Sequence, residues 1–521
     1  MKPQFRPFAL VAVLFGLFSS CNTDPFEGID LHISPELLEY TAMLELVDAS
    51  GNGVIPDGAS IRFSGPEADQ VYPIAATKDF EFEAGKLAIG IHPDALQGNS
   101  SVEVTAIVDA PGYLTARTLI RFGGLKQQLI NVPLLRTDNL PNGVGYVTQS
   151  YGLVNNAMPD DFTFVLPASA FKDVPVSLNV VSGTQFLDAN GAVINGTNVE
   201  ARIAGFDTDS PESMANYPVG LIAPNAMTPS GTNQNISFTS AGFAAIDLFV
   251  NGQEVFGFSQ PATISMGLDP TLTNPNTGGP LAAGDAIEVW SYDETLEVWS
   301  YEQTGLVSNG SNGLEMSFTT NHLSWWNVDF FGVNCSSASL TLSITGGPGN
   351  YVVKMVNAAN PAQSYSTQTL YLFDGMNISI YNVPNFPVLI EVYATYGDAY
   401  SGSNPLFTSA PFNPCSGPIN LSIGLPAANP WVNLDIEGYC DGISGLELRP
   451  SFYVYFRPSG TTTWLYLGWV SNGIGATDDL VQGQYYDFAV WYGGWIESTN
   501  NLVDQTNYTF SFELGSFCDD L

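Results

Sequence analysis

The sequence predicts an all-β chain of tandem antiparallel β-sandwich modules, Ig-like or prealbumin-like in kind. Three observations carry that expectation. Short runs rich in β-branched, aliphatic and aromatic residues recur along the chain, among them "AMLELVD" (42–48), "SVEVTAIVD" (101–109), "SLTLSITG" (339–346) and "FYVYF" (452–456). Clusters of turn residues such as "SGNG" (50–53) and "GGPGN" (346–350) separate them, drawn from 51 Gly and 34 Pro spread through the chain. No amphipathic helical period is sustained over three turns, so strand, turn, strand is the reading almost throughout.

At 521 residues the chain exceeds what one hydrophobic core organises, and several domains are expected. With 45% hydrophobic and 12% aromatic residues each can form a core, which argues against disorder. Against 51 Asp+Glu stand 14 Lys+Arg, a formal net charge of −37 that repels nucleic acid and anionic lipid. Nine of the basic residues precede position 137, so the later acidic part suits neutral, cationic or metal-bridged partners.

The N-terminus reads as an export signal. Lys2 and Arg6 precede the apolar run "FALVAVLFGLF" (8–18), too short to span a bilayer, and Ser19-Ser20 leads into Cys21. A small residue before the first cysteine resembles a bacterial lipoprotein signal, which implies a signal peptide over 1–21 with Cys21 lipidated. Phe18 departs from the small residue or Leu usual there. An ordinary signal peptide cut nearby is the alternative. The resemblance implies an outer-membrane, cell-surface location.

Residues 22–137 form the first predicted module. "LELVDASGNGVIPDGASIRFSG" and "VDAPGYLTARTLIRF" resemble the prealbumin-like carboxypeptidase-regulatory sandwiches found in surface proteins of Bacteroidota. That resemblance implies a spacer or presentation role. Asp48 and Asn52 are conceivable Ca2+ ligands, but the spacing lacks the acidic repeat of an EF-hand loop and reads as a turn. No cofactor is expected.

Residues 138–332 form the second. Here "FSQPATISM" (258–266), "AGDAIEVWSYDETLEVWSYEQTG" (283–305) and "FTTNHLSWWNVDFF" (318–331) follow in the order seen in the autoproteolytic sandwich of adhesion receptors, the GAIN domain, which the region resembles. Carried over, His322 is the base, Leu323 supplies the scissile carbonyl and Ser324 is the nucleophile. The cysteine pairs that brace the receptor turn are missing around Trp290 and Trp299. The competing reading is a terminal sandwich strand with Trp325 and Trp326 packing on either side.

Two further modules, 333–428 and 429–521, read as an internal repeat. "WNVDFFGVNC" ends at Cys335 and "WVNLDIEGYC" at Cys440; Leu-Tyr-Leu (370–372, 465–467), a Tyr-Gly pair (396–397, 492–493) and a second cysteine follow in each. With Cys21 set aside, an even number of cysteines in an exported chain predicts disulfides, and the repeat selects Cys335–Cys415 and Cys440–Cys518. The second copy is dense in rings. Trp464, Trp491 and Trp495 are candidate ligand-binding residues on an exposed face, along with Tyr453 and Tyr455; packing against a neighbouring module is the alternative.

With three histidines, no nucleophile elbow, no metal-type His/Cys spacing and no phosphate-cradling loop, a turnover enzyme is not expected. The favoured function is a lipid-anchored, non-enzymatic surface protein for adhesion or partner binding, its partner a surface protein or a glycan. A carbohydrate-capture lipoprotein of an uptake system and a self-cleaving surface protein are the alternatives.

Overall fold

A computed structural model describes residues 31–33, 38, 40–51, 58–74, 79–96, 101–123, 125–167, 175–294, 296–426, 431–439, 446–449, 451–491 and 495–513. The described chain is all-β, with short helices only at Pro211–Met214 and Tyr396–Ser401 besides single 3-10 turns.

The first sandwich opposes a layer of Tyr40–Asp48, Val71–Pro73, Lys86–Ile91 and Gln127–Leu134 to one of Ser60–Ser64, Val102–Asp109 and Ala116–Phe122. Period-2 alternation sends Leu44, Ile89, Val104 and Phe122 into its core. Met43, Ala88 and Leu129, on the other face of the first layer, are buried as well. That double burial explains why every residue of Lys86–Ile91 is enclosed: something covers the sheet from outside.

The central sandwich closes a large sheet, in order Ile222–Met227, Val298–Leu306, Ala286–Asp293, Trp325–Val333, Asn233–Val250, Asn198–Phe206 and Val144–Gly152, over a second sheet that includes Phe162–Leu166, Val176–Val180, Gly257–Leu268 and Gly313–His322. Phe164, Ile203, Ile246, Ile264, Trp326 and Val328 fill the space between. The large sheet is covered on its outer face too, where Phe206, Phe243, Trp290, Trp299 and Trp325 meet the 214–222 segment and the third sandwich. Asn233–Val250 accordingly carries eleven consecutive buried residues, a pattern expected of a strand enclosed on both sides.

The third and fourth sandwiches share one strand plan. Cys335–Thr345 pairs in parallel with Ile419–Gly424 and antiparallel with Asn377–Val383. Val432–Tyr439 does the same with Asn507–Glu513 and Ile474–Thr477. In the opposite layers Gly349–Asn357 lies between Ser364–Leu372 and Val388–Tyr393, as Phe452–Pro458 lies between Leu465–Val470 and Gln484–Trp491. One detail of the predicted alignment needs correction. Asn327-Val328-Asp329 belongs to the last strand of the central sandwich, whereas Asn433-Leu434-Asp435 belongs to the first strand of the fourth. Cys335 opens its strand and Cys440 follows its strand, so superposing the cysteines shifts the copies out of register.

The layers also run across the predicted boundaries. Thr369 pairs with Leu129, which joins the first and third sandwiches into one eight-stranded sheet. Leu31–Ile33 pairs in parallel with Leu446–Leu448 of the fourth. The chain therefore folds back on itself, and its last sandwich lies against its first.

Candidate functional site

Gly313–His322 and Trp325–Val333 belong to the two opposed sheets of the central sandwich, and Leu323-Ser324 is the step between them. Trp325 and Trp326 then point to opposite faces: Trp325 joins the outer cluster with Phe206 and Phe243, and Trp326 the inner core with Phe318. The His322 ring lies 5.0 Å from that of Trp326.

His322 and Ser324 take different hydrogen-bond partners. Ser324 Oγ donates to the Tyr292 carbonyl at 2.7 Å, lies 3.0 Å from the Trp325 carbonyl, and accepts from the Tyr292 N–H at 2.9 Å. His322 Nε2 lies 3.2 Å from Glu302 Oε1, which also accepts from Ser291 Oγ at 2.6 Å; His322 Nδ1 lies 3.4 Å from the Leu323 carbonyl. Among the described residues no hydrogen bond joins the imidazole to the Ser324 hydroxyl. The Glu302 hydrogen bond raises the His322 pKa, with burial opposing, so the ring is biased toward the protonated form that is no base. Burial works against ionised Glu302, but the hydrogen bonds from His322 and Ser291 prevail and hold it below its ordinary value. Neither Leu323 nor Ser324 adopts a positive φ. The arrangement anchors a strand end on Tyr292 and Glu302.

The aromatic residues of the fourth sandwich divide between two faces. Tyr453 and Tyr455, expected on an exposed platform, are instead fully buried against Met43, Ala88 and Leu129 of the first sandwich. Tyr453 hydroxyl lies 2.9 Å from Thr41 Oγ1 and donates to the Gln128 carbonyl at 3.4 Å. Trp469 packs in the same contact as Trp464 and Tyr466, although strict alternation along Leu465–Val470 puts it on the other face. Gly468, at φ 151°, sits at a shift in register between Val454 and Tyr455 and turns Trp469 round. Trp464 is half-buried there, with the Arg457 guanidinium 4.2 Å from its ring centre. Trp491 and Trp495 are register partners; their side chains lie outside the described residues.

Cys335 and Cys415 form a disulfide with Cα atoms 5.9 Å apart, fastening the starts of two parallel strands. Cys21, Cys440 and Cys518 lie outside the described residues, as does Asn52. Asp48 accepts from the Ser50 N–H and hydroxyl at 2.8 and 2.7 Å, the work of a turn residue. Among the described residues no group of three or more His, Cys, Asp or Glu side chains is placed to hold a metal, and no helix is long and apolar enough to cross a membrane.

Two polar features escaped the sequence reading. At a bulge between Ser240 and Gly242 the strand loses its partner, and Gln363 of the third sandwich supplies one: its amide donates to the Ser240 carbonyl at 2.7 Å and accepts from the Ser240 N–H at 3.0 Å. Behind it Asp329, fully buried, accepts from the Ala241 N–H at 3.3 Å and from the Tyr217 hydroxyl at 2.9 Å. Burial pushes Asp329 up to about 8 despite those bonds. The second feature is a set of charged residues at the far end of the same sheet face, in the alternating runs "EARIAGF" (200–206) and "AIDLFV" (245–250). Alternation was visible there, but which neighbours would leave that face uncovered was not.

No protein-family model and no curated protein matches the chain. Among solved structures it is similar to a streptococcal ancillary pilin, at 14% identity over 45% of this chain and 93% of that one, with a TM-score of 0.14. It is also similar to the Bacillus anthracis TIE protein, at 11% identity over 68% of this chain and 57% of that one, with a TM-score of 0.12. At such scores neither likeness says how the sandwiches are arranged here, and the chain stands as an all-β assembly of packed sandwiches.

Proposed function

We propose that the chain is a lipid-anchored, non-enzymatic cell-surface protein whose packed sandwiches present a binding face to a partner. The observation that carries this reading is the Cys335–Cys415 disulfide, a bond that persists in exported proteins and is rare in reducing compartments. The basic and apolar N-terminus ending at Cys21 supports it. Leu31–Ile33, shortly after Cys21, pairs with the fourth sandwich, so an anchor at Cys21 keeps that sandwich near the lipid and leaves the central one to meet a partner.

Labelling cells with a fatty-acid analogue tests the anchor. The wild-type chain takes up label and sediments with membranes, and Cys21→Ser does neither; a Cys21→Ser chain that stays with membranes at high salt would overturn the reading. The chain is read as remaining intact, because the Ser324 proton is engaged by Tyr292 and not by His322. A new N-terminus at Ser324 in mass spectrometry of untreated protein contradicts that.

A further inference from the structure

On its outer face the large central sheet is apolar at one end and polar at the other. Alternation puts Glu200, Arg202, Ala204 and Phe206 on this face, beside Ala245, Asp247 and Phe249, and the register sets Arg202 opposite both Asp247 and Thr148. Phe206 and Ala245 lie in the buried cluster; the row through Arg202 and Asp247 lies beyond it. There the sheet faces the 112–117 turn of the first sandwich across a cavity of about 540 Å3, within the range of small-molecule sites.

The charges in the cavity are unevenly paired. Arg117, almost wholly buried, is 3.0 Å from Glu294 and 3.6 Å from Glu297. Arg202 binds Glu200 at 2.8 Å and stacks 4.3 Å from the Phe249 ring centre. Both guanidinium groups are thus engaged. Asp247 and Glu254 also line the cavity, and neither carboxylate makes a hydrogen bond among the described residues. These two carboxylates, Asp247 partly buried in the cavity and Glu254 exposed at its rim, stand beside the rings of Tyr146, Phe249 and Trp325, a lining that suits a cation with an apolar body.

We propose that this cavity binds a small organic cation of the alkylammonium or diamine class, held by the carboxylates of Asp247 and Glu254. The ammonium group donates to Asp247, and its methylenes lie along the rings. A divalent metal is a poor occupant, because no three ligating side chains converge among the described residues. Binding depends on pH through Asp247, which is faced by Arg202 and Glu200 from the neighbouring strand, Glu254 from the hairpin, Glu294 and Arg117 across the cavity, and the phenols of Tyr113 and Tyr146. Burial, then Glu294 and Glu254, push Asp247 up to about 7 against the opposing arginines. It is protonated in mild acid and ionised above neutrality, so the cation binds more weakly at pH 5.5 than at pH 8.

Calorimetric titration of the full chain with cadaverine at pH 8 and 0.15 M salt, which screens the general attraction of an acidic protein, is the test. The expected result is saturable one-to-one binding, weakened roughly tenfold or more by Asp247→Asn, as befits loss of a charge-assisted hydrogen bond, and weakened also by Glu254→Gln. Asp69→Asn, at an exposed turn, leaves it unchanged. Absence of saturation at pH 8, equal affinity in a folded Asp247→Asn chain, or saturable binding of methyl glucoside in place of the amine would each overturn the proposal.

Discussion

The third and fourth sandwiches follow the same strand plan yet differ in the polar contacts by which they attach themselves to the rest of the chain. The third reaches the central sheet with amides and a phenol: Gln363 on both backbone groups of Ser240, Asn357 Nδ2 3.3 Å from Thr239 Oγ1, and Tyr365 donating to the Phe238 carbonyl at 3.0 Å. The fourth lays Tyr453, Tyr455, Tyr466 and Trp469 on the apolar outer face of the first sandwich. The difference follows from the surfaces they meet. A bulged strand leaves backbone groups that only polar side chains can satisfy, whereas a regular sheet showing Met43, Ala88 and Leu129 rewards buried area, with the Tyr453 hydroxyl bonding Thr41 and Gln128. One plan thus serves two docking surfaces because only its outward-facing residues had to change.

The contrast can be broken in several ways. Replacing Cys335 and Cys415 by alanine frees a loop of 80 residues and should cost about 4 kcal/mol by the chain-entropy estimate, read as a lower urea midpoint. Tyr455→Ala removes a fully buried ring from the aromatic contact and should cost about 3 kcal/mol, with acrylamide quenching of tryptophan fluorescence increased. Asp329→Asn sharpens the comparison through pH. The folded-state value of about 8 exceeds the unfolded value near 3.8, so the wild-type contribution is full below that lower value and is lost as pH rises through 8. Stability should therefore fall between pH 5 and pH 8 in the wild type, by up to about 1.4 kcal/mol per pH unit from this group, and less steeply in the variant. Urea titrations at several pH values measure the slope. Trp464→Ala, which removes the ring beneath Arg457, should cost least, about 1 kcal/mol for the cation–π contact, and glycan binding that disappears with it would reassign that face.

Strand runs and turns were legible in the sequence because alternation and Gly/Pro punctuation act locally. "AMLELVD" shows both its strand and its inward Leu44 and Leu46. What covers Met43 was not legible, since the Tyr453 and Tyr455 that do so lie some 400 positions on and alternate as any half-buried strand does. The Cys335–Cys415 bond was legible from the repeat; the offset of Cys440 was not, because a cysteine at either end of a parallel pair can close it. Tyr439 stands opposite Glu513, so Cys440 and Cys518 follow paired strand ends, and non-reducing peptide mapping should find them joined. At His322-Leu323-Ser324 the residue types were legible, while the partners Tyr292 and Glu302 come from strands elsewhere in the sheet.

The central claim is that the chain closes on itself, its last sandwich docked by its aromatic layer on its first. Amide hydrogen exchange of the wild-type chain and of Tyr455→Ala, compared peptide by peptide, tests it most directly. The account predicts lost protection in 452–470 and also in 40–48 and 86–91, which touch Tyr455 only through this contact. Loss confined to 452–470, with the first sandwich as protected as before, would contradict it.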